Sequence, residues 1–298
     1  MEKGKFKKNF AKFHDKNYKL LLIIPLSILV FGFVYMGIFY SQNHDFIYKD
    51  ISLTGGTSVT INDGTINPTN LKNAIAGKLE DANIREISDL ISQKQIAVIV
   101  ETKSDEQQTR TVLENYLGYK LDGENSSFEF TGSTLSQNFY KQLLIALLIA
   151  FFLMSVVVFL QFKNFIPSIA VIFSAFADIF MTLVVVNLLG MKVSSAGIVA
   201  FLMLIGYSID TDILLTTRTL KRKVGTLNRR ILESFKTGIT MTLTSLFAVL
   251  AALLIVGSFS SILSQIFTIM VIGLSFDILN TWLTNVSIIK WYISKKKK

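Results

Sequence analysis

The chain has 298 residues, 51% of them apolar and only 17% charged, with a formal net charge of +9. Soluble chains of this length carry about 25% charged residues. It has no cysteine, which excludes disulfides, Cys-zinc sites, iron–sulfur clusters and thiol nucleophiles. His14 and His44 fall in different regions, so no histidine metal site is expected, and no cofactor is expected either.

About 30 Å of hydrocarbon is crossed by roughly 20 apolar residues in a helix. Six such runs are predicted, at 19–40, 140–160, 165–187, 195–216, 238–257 and 264–287. The fold class is therefore an α-helical polytopic membrane protein, with six transmembrane helices in a 1 + 5 arrangement. One extracytoplasmic α+β ferredoxin-like domain fills 41–139. Residues 1–18 form a basic N-terminus ahead of the first span. That combination resembles a signal peptide, but the apolar run is too long and no small-residue cleavage pattern follows Tyr40. It reads as an uncleaved span, bent at Pro25.

In the domain, Leu53 to Ile61 reads as a strand rich in Thr and Val. Asn67-Pro68 marks a helix start, with Leu71, Ile75 and Leu79 on one stripe. Ile84 to Ile91 alternates with one slip, and Gln95 to Glu101 is a buried strand. Ser104-Asp105-Glu106 opens a helix to about Tyr116, and Ser127 to Thr131 closes the domain. The order β-α-β-β-α-β is the split βαβ arrangement. Thr54-Gly55-Gly56-Thr57 lacks both the GxGxxG spacing and the P-loop lysine. It reads as a place where backbones approach closely rather than an anion site.

The charges set the expected orientation. Residues 41–139 hold eight basic and fourteen acidic residues, a net of −6, which leaves +15 for the rest. The basic runs are the N-terminus, the loop 217–237 and the tail 288–298, and each abuts a span. The positive-inside rule puts them, and both termini, in the cytoplasm. Anionic lipids account for these runs without nucleic acid as a partner.

Ionisable residues within spans are costly and mark function. Asp178 falls in the middle of span three and Asp277 in the middle of span six, while Asp210 and Asp212 lie in the inner third of span four. At 100° per residue the last two sit about 200° apart, so one is expected to face the bundle and the other the cytoplasmic boundary. Arg218 and Lys236 flank that boundary as candidate partners. Burial away from water disfavours a charged carboxylate, which suits reversible proton uptake. The competing role is structural, with the acids pairing with Thr, Asn or Arg to pin helix packing. In span five, Thr237, Thr240 and Thr244 share one face. They are placed either to bond the aspartates or to bond their own i−4 carbonyls. Trp282, Trp291 and Tyr292 suit an interfacial belt.

These residues resemble the SecF family of the SecD–SecF protein-export complex, within the RND transporter superfamily. The resemblance spans nearly the whole chain: one span, a Thr54-Gly55-Gly56 element, a ferredoxin-like domain, then five spans. Its most specific fragment is Gly206-Tyr207-Ser208-Ile209, with Ala177-Asp178 matching the family's position in span three. Asp210-Thr211-Asp212, Leu214 to Arg218 and Glu233 to Thr242 look archaeal. Bacterial relatives have Asn-Asp-Thr at 210–212, so their proposed proton-conducting acid falls at Thr211 here. Their basic residue at the start of span five falls at Thr237, beside Lys236. Many relatives also carry Asp where this chain has Ser52. The resemblance implies a separate SecD partner, the Sec translocation channel, unfolded polypeptide as cargo, and proton-coupled assistance rather than enzymatic turnover. The proton-relay candidates are Asp178, Asp210, Asp212, Asp277, Thr237, Lys236 and Arg218.

Three rivals remain on sequence grounds. A small-molecule or lipid exporter of the same superfamily would need a larger exported region. An intramembrane aspartyl protease would use paired aspartates, but Gly206 is followed by Tyr207 and not by a Gly-x-Gly-Asp motif. A membrane-anchored assembly module would move no ion.

Overall fold

The computed structural model describes residues 17–89, 92, 94–221, 225–257 and 260–296. The basic residues from Lys3 to Lys16, the Leu90-Ile91 end of a predicted strand, Arg222, Lys223, Lys297 and Lys298 lie outside the described residues.

Among the described residues, six helices are long and apolar enough to cross a membrane: Asn17–Asn43, Ser133–Phe162, Phe165–Leu188, Ser195–Leu220, Leu227–Val256 and Ser261–Lys296. Several outrun their apolar cores, because hydropathy marks only the stretch that meets lipid. The loop 217–237 is thus mostly helical. One helix runs on to Leu220, and the next starts at Leu227 with Thr226 as its N-cap. The first regular helix, α1, is Ile23–Asn43. A turn at Leu22 separates it from the preceding helical residues, three positions before Pro25. Proline lacks the N–H that would bond Leu21, so the ladder is interrupted there.

The α/β domain follows: β1 (Tyr48–Lys49), α2 (Ile51–Thr54), β2 (Gly56–Ile61), α3 (Pro68–Ile75), β3 (Asn83–Ser88), β4 (Gln95–Thr102), α4 (Glu106–Leu117) and β5 (Ser126–Thr131). Its sheet order is β3-β4-β2-β5, with every pair antiparallel. That is the split βαβ arrangement. Both longer helices begin where side chains cap them. Asn67 accepts from the amides of Thr69 and Asn70, and Asp105 accepts from that of Gln108. Val59, Ile61, Leu71, Ile75, Val98 and Leu113 form the core.

The predicted strand from Leu53 is corrected at its start. Residues 51–54 form a helical turn, capped by Asp50, and the strand begins only at Gly56. Gly55 and Gly56 make the reversal, at φ 84° and 144°. A Cβ on Gly55 would lie 2.5 Å from Ser133 Cα, and one on Gly56 would lie 2.2 Å from the Thr102 carbonyl. The glycine pair therefore serves close backbone approach.

After the domain come α5 (Ser133–Phe162), α6 (Phe165–Leu188), β6 (Lys192–Val193), α7 (Ser195–Leu220), α8 (Leu227–Val256), α9 (Ser261–Leu279), a π-helical segment (Asn280–Asn285) and α10 (Val286–Lys296). Helix α9 packs against α6, α7 and α8, and Gly273 admits Leu204 between α9 and α7. Strand β1 pairs in parallel with β6, tying the domain to the turn between α6 and α7. Charges reinforce that tie. Lys192 in that turn meets Asp81 of the domain at 2.6 Å, while within the domain Arg85 meets Glu101 at 2.6 Å with Asp50 at 3.8 Å.

Candidate functional site

Asp178 on α6, Asp212 on α7 and Asp277 on α9 are each fully buried where these helices meet. All their hydrogen-bond donors are neutral. Ser208 Oγ donates to Asp178 Oδ2, and Asn280 Nδ2 donates to Asp178 Oδ1 at 2.7 Å. Asn285 Nδ2 donates to Asp212 Oδ1 at 2.7 Å. Asp277 accepts from Thr281 at 3.1 Å, Thr242 at 3.2 Å and Thr211 at 3.4 Å. None of the ion pairs among the described residues reaches these acids. Among the same residues, no group of three or more acidic or histidine side chains is placed to hold a metal ion.

The π-helical segment explains how one helix serves three acids. A π turn closes i to i+5 and is wider than an α turn, so it rotates the residues that follow it. Asn280, Thr281 and Asn285 then donate to Asp178, Asp277 and Asp212 respectively. Its polar residues are inside the bundle: Asn280, Thr281, Thr284 and Asn285 are at most 1% exposed, while Leu283 is half-buried.

Asp210 has a different setting. It lies exposed on the outward face of α7 with Val199, Met203, Gly206 and Tyr207, while Asp212 two residues on is buried. The expected partners also differ. Arg218 Nη1 donates to Thr237 Oγ1 at 2.8 Å and to the Glu233 carbonyl at 3.1 Å, not to an aspartate. Lys236 is exposed on α8. Thr240 and Thr244 bond their own i−4 carbonyls, at Lys236 and Thr240. The α8 hydroxyl that reaches an aspartate is Thr242, one face round.

Trp282 is a further correction to the expected belt. It is 7% exposed and stacks edge-on against Phe235 at 4.9 Å, because Gly238 leaves room for it. A Cβ at position 238 would come within 2.6 Å of the indole. Trp291 does sit on the surface, under Lys295. The sequence signal that could have found the π segment is Asn280-Thr281-Trp282-Leu283-Thr284-Asn285. Four amide- or hydroxyl-bearing residues there interrupt an apolar helix.

Long apolar helices enclosing cation-free carboxylates, with one compact α/β domain docked at their end, define a polytopic membrane protein of the transport type. The comparisons with known proteins narrow this. The family model for protein export membrane protein SecD/SecF, C-terminal, matches residues 111–295. The protein-export membrane protein SecF of Methanocaldococcus jannaschii is 38% identical over 286 residues, covering 94% of this chain and 97% of that one. SecF of Methanothermobacter thermautotrophicus is 35% identical, covering 93% of each chain. The crystal structure of SecDF, a translocon-associated membrane protein from Thermus thermophilus, superposes with a TM-score of 0.66 at 18% identity. It covers 97% of this chain and only 38% of the longer SecDF chain. The chain belongs to the SecF family. It is a multi-pass membrane subunit of the protein-export machinery, and that family is not enzymatic.

Proposed function

We propose that this chain works with a separate SecD chain at the Sec translocation channel, helping unfolded polypeptide cross the cytoplasmic membrane at the expense of the proton gradient. One observation carries the coupling: three buried carboxylates with only neutral donors around them. A carboxylate accepts hydrogen bonds only, whereas its protonated form also donates. Proton uptake at Asp178, Asp212 or Asp277 therefore changes which bonds hold α6, α7 and α9 to the π segment. Movement among these helices passes to the α/β domain through β6, which α6 and α7 flank and which pairs with β1. Arg218, Thr237 and Lys236 sit toward the basic end of α7 and α8 and border the proton's route rather than hold it.

In this reading the basic ends face the cytoplasm and residues 41–139 lie outside. The acidic excess of that segment and the basic runs at the span ends support the orientation. A cavity of about 300 Å³ bordered by Lys221, Arg230 and Lys296 supports contact with anionic lipid at the same end. The outward face of α7 that carries Asp210 goes to SecD. A carboxylate inside a span is costly against lipid, by at least about 2.5 kcal/mol on insertion scales, and calls for a protein neighbour.

Two experiments test the proposal. The double variant Asp210→Asn/Asp212→Asn should leave export without its response to the proton gradient; export that stays gradient-responsive removes these acids from the relay. Isolation from mild detergent should bring down SecD and channel subunits. A clean homotrimer would instead favour a small-molecule or lipid exporter.

A further inference from the structure

Asp212 and Asn285 have a peculiarity that Asp178 and Asp277 lack. Asn285 Nδ2 donates to Asp212 Oδ1 at 2.7 Å, which consumes one oxygen of the acid and the nitrogen of the amide. The two atoms left over are both acceptors, Asp212 Oδ2 and Asn285 Oδ1. Both are buried and neither has a partner at hydrogen-bonding geometry among the described residues; the hydroxyls of Thr281 and Ser174 stand near the Asp212 carboxyl without closing such a bond to Oδ2. Their residues are fully enclosed. Buried acceptors left unsatisfied are costly, and a pair of them side by side calls for an explanation.

A single proton resolves both. Placed on Asp212 Oδ2, it turns that oxygen into a donor aimed along the same edge of the side chain as Oδ1. The amide oxygen beside Nδ2 is the complementary acceptor. The result is the two-bond ring that a carboxylic acid forms with a primary amide: N–H to Oδ1 on one side, Oδ2–H to Oδ1 of the amide on the other. Among the described residues, no other acid–amide pair in the bundle combines these features. Asp178 has both oxygens bonded, by Ser208 and Asn280, and Asp277 has both oxygens bonded by threonines.

We propose that Asp212 and Asn285 together form the proton-holding pair of this chain, with Asn285 the residue that recognises the protonated acid. This rests on the proton-coupled reading above and adds to it a named amide. The step balances simply. A hydronium ion gives its proton to the Asp212 carboxylate and leaves as water, so one O–H bond breaks and one forms, and the amide accepts the new O–H. Loss of the proton puts two lone-pair-bearing oxygens side by side, which drives Asn285 and the end of the π segment away from α7. The same segment holds Asp178 through Asn280 and Asp277 through Thr281, the other titratable groups packed against it. Displacing it at Asn285 therefore alters the setting of all three acids. Asn285 acts here as a positioning residue, since the proton itself sits on Asp212.

The test uses the intact chain in lipid nanodiscs, read by infrared difference spectroscopy in the carboxyl stretching region as pH is stepped. Protonated carboxyl absorption should be present; the component due to Asp212 should be missing in Asp212→Asn, with any from Asp178 and Asp277 remaining, and should move to higher frequency in Asn285→Leu as its hydrogen bond is lost. The exchange variant Asp212→Asn/Asn285→Asp keeps an acid opposite an amide. It should restore the band and hold gradient-responsive export within about threefold of the parent, while Asn285→Leu loses at least about tenfold of that response. A band unmoved by Asn285→Leu, or an exchange variant as inert as Asp212→Asn, overturns the proposal. Because Asn285→Leu could fail to assemble, Asn285→Gln is read alongside it: the longer amide keeps the chemistry but not the spacing, and its band should shift as well. The band reports the pair in the purified chain without SecD or channel. A failure of the export reading would thus leave the spectrum intact and be told apart from a failure of the pair.

Discussion

The α/β domain and the helical bundle each bury carboxylates, and they treat them in opposite ways. In the domain, Glu101 is 8% exposed and Arg85 Nη2 lies 2.6 Å away, with Asp50 3.8 Å from the same nitrogen. In the bundle, Asp178, Asp212 and Asp277 are more deeply buried, and among the described residues their hydrogen-bond donors are hydroxyls and amides. A buried acid held by a fixed cation is a stable part of the architecture, since removing its partner strands a charge. A buried acid held by neutral donors has no such counterweight, and a proton can come and go without breaking an ion pair. The difference separates a fastening from a switch.

The largest effect is expected at the fastening. Arg85→Ala leaves Glu101 and Asp50 without their shared cation and should cost about 3 kcal/mol of domain stability. Hydrogen exchange of β3 and β4 would report it, and adding Glu101→Gln should recover much of the loss. An unchanged exchange profile would mean that water compensates these acids as readily as arginine does.

Next comes the packing that seats the switch. Gly238 lets Trp282 and Thr211 close on α8, and a side chain there would meet the indole at 2.6 Å and Thr211 Cγ2 at 2.9 Å. Gly238→Val should lower the thermal stability of the detergent-solubilised chain by about 2 kcal/mol. A fluorescence shift of Trp282 would accompany it.

The pH dependence of the domain sharpens the contrast further. Burial, and then the neighbouring Asp50 charge, push Glu101 above the ordinary glutamate range, with Arg85 pulling the other way. The folded domain therefore binds this proton more tightly than the unfolded chain does. Its contribution to stability should decline as pH rises from about 4, the unfolded value, through the raised one. Asp81 behaves in the reverse sense. Burial pushes it up, but hydrogen bonds from Lys192 and Lys103 outweigh this and hold it low. What it adds to stability is in place above the ordinary aspartate range and is lost as pH falls through the lowered value. Urea unfolding followed by hydrogen exchange across this range, with Glu101→Gln and Asp81→Asn as references, separates the two.

In the bundle, Asp212→Asn should change stability by no more than about 1 kcal/mol, since an amide still fills the site and can still bond Asn285. The smallest effect belongs to the surface. Glu106→Gln on α4 breaks an exposed i, i+4 pair with Arg110 and should cost only about 0.3 kcal/mol.

Much of this was legible in the residues, for physical reasons. Six apolar runs are a direct consequence of lipid as solvent, and the split βαβ order follows from alternation, stripes and caps. Asp178 and Asp277 stood out because charge is rare in such runs. Other features depend on rotation about helix axes, which periodicity does not supply. The 200° between Asp210 and Asp212 requires them to part, but only the packing of α6 and α9 against α7 decides that Asp212 is the one enclosed. Likewise Thr242 reaches Asp277 while the Thr237, Thr240 and Thr244 face turns elsewhere. The π segment was least legible, since one wide turn shifts the phase of every residue after Leu279. It turns Trp282 inward to lie on Gly238 and carries Asn285 round to Asp212.

The most direct measurement is export into proteoliposomes that hold this chain with SecD and the channel, with and without an imposed proton gradient. Asp178→Asn, Asp212→Asn and Asp277→Asn would be compared one at a time with Glu101→Gln. The account predicts that each bundle variant exports at the same rate in both conditions, while Glu101→Gln keeps the acceleration of the parent. Acceleration retained by all three bundle variants would contradict it.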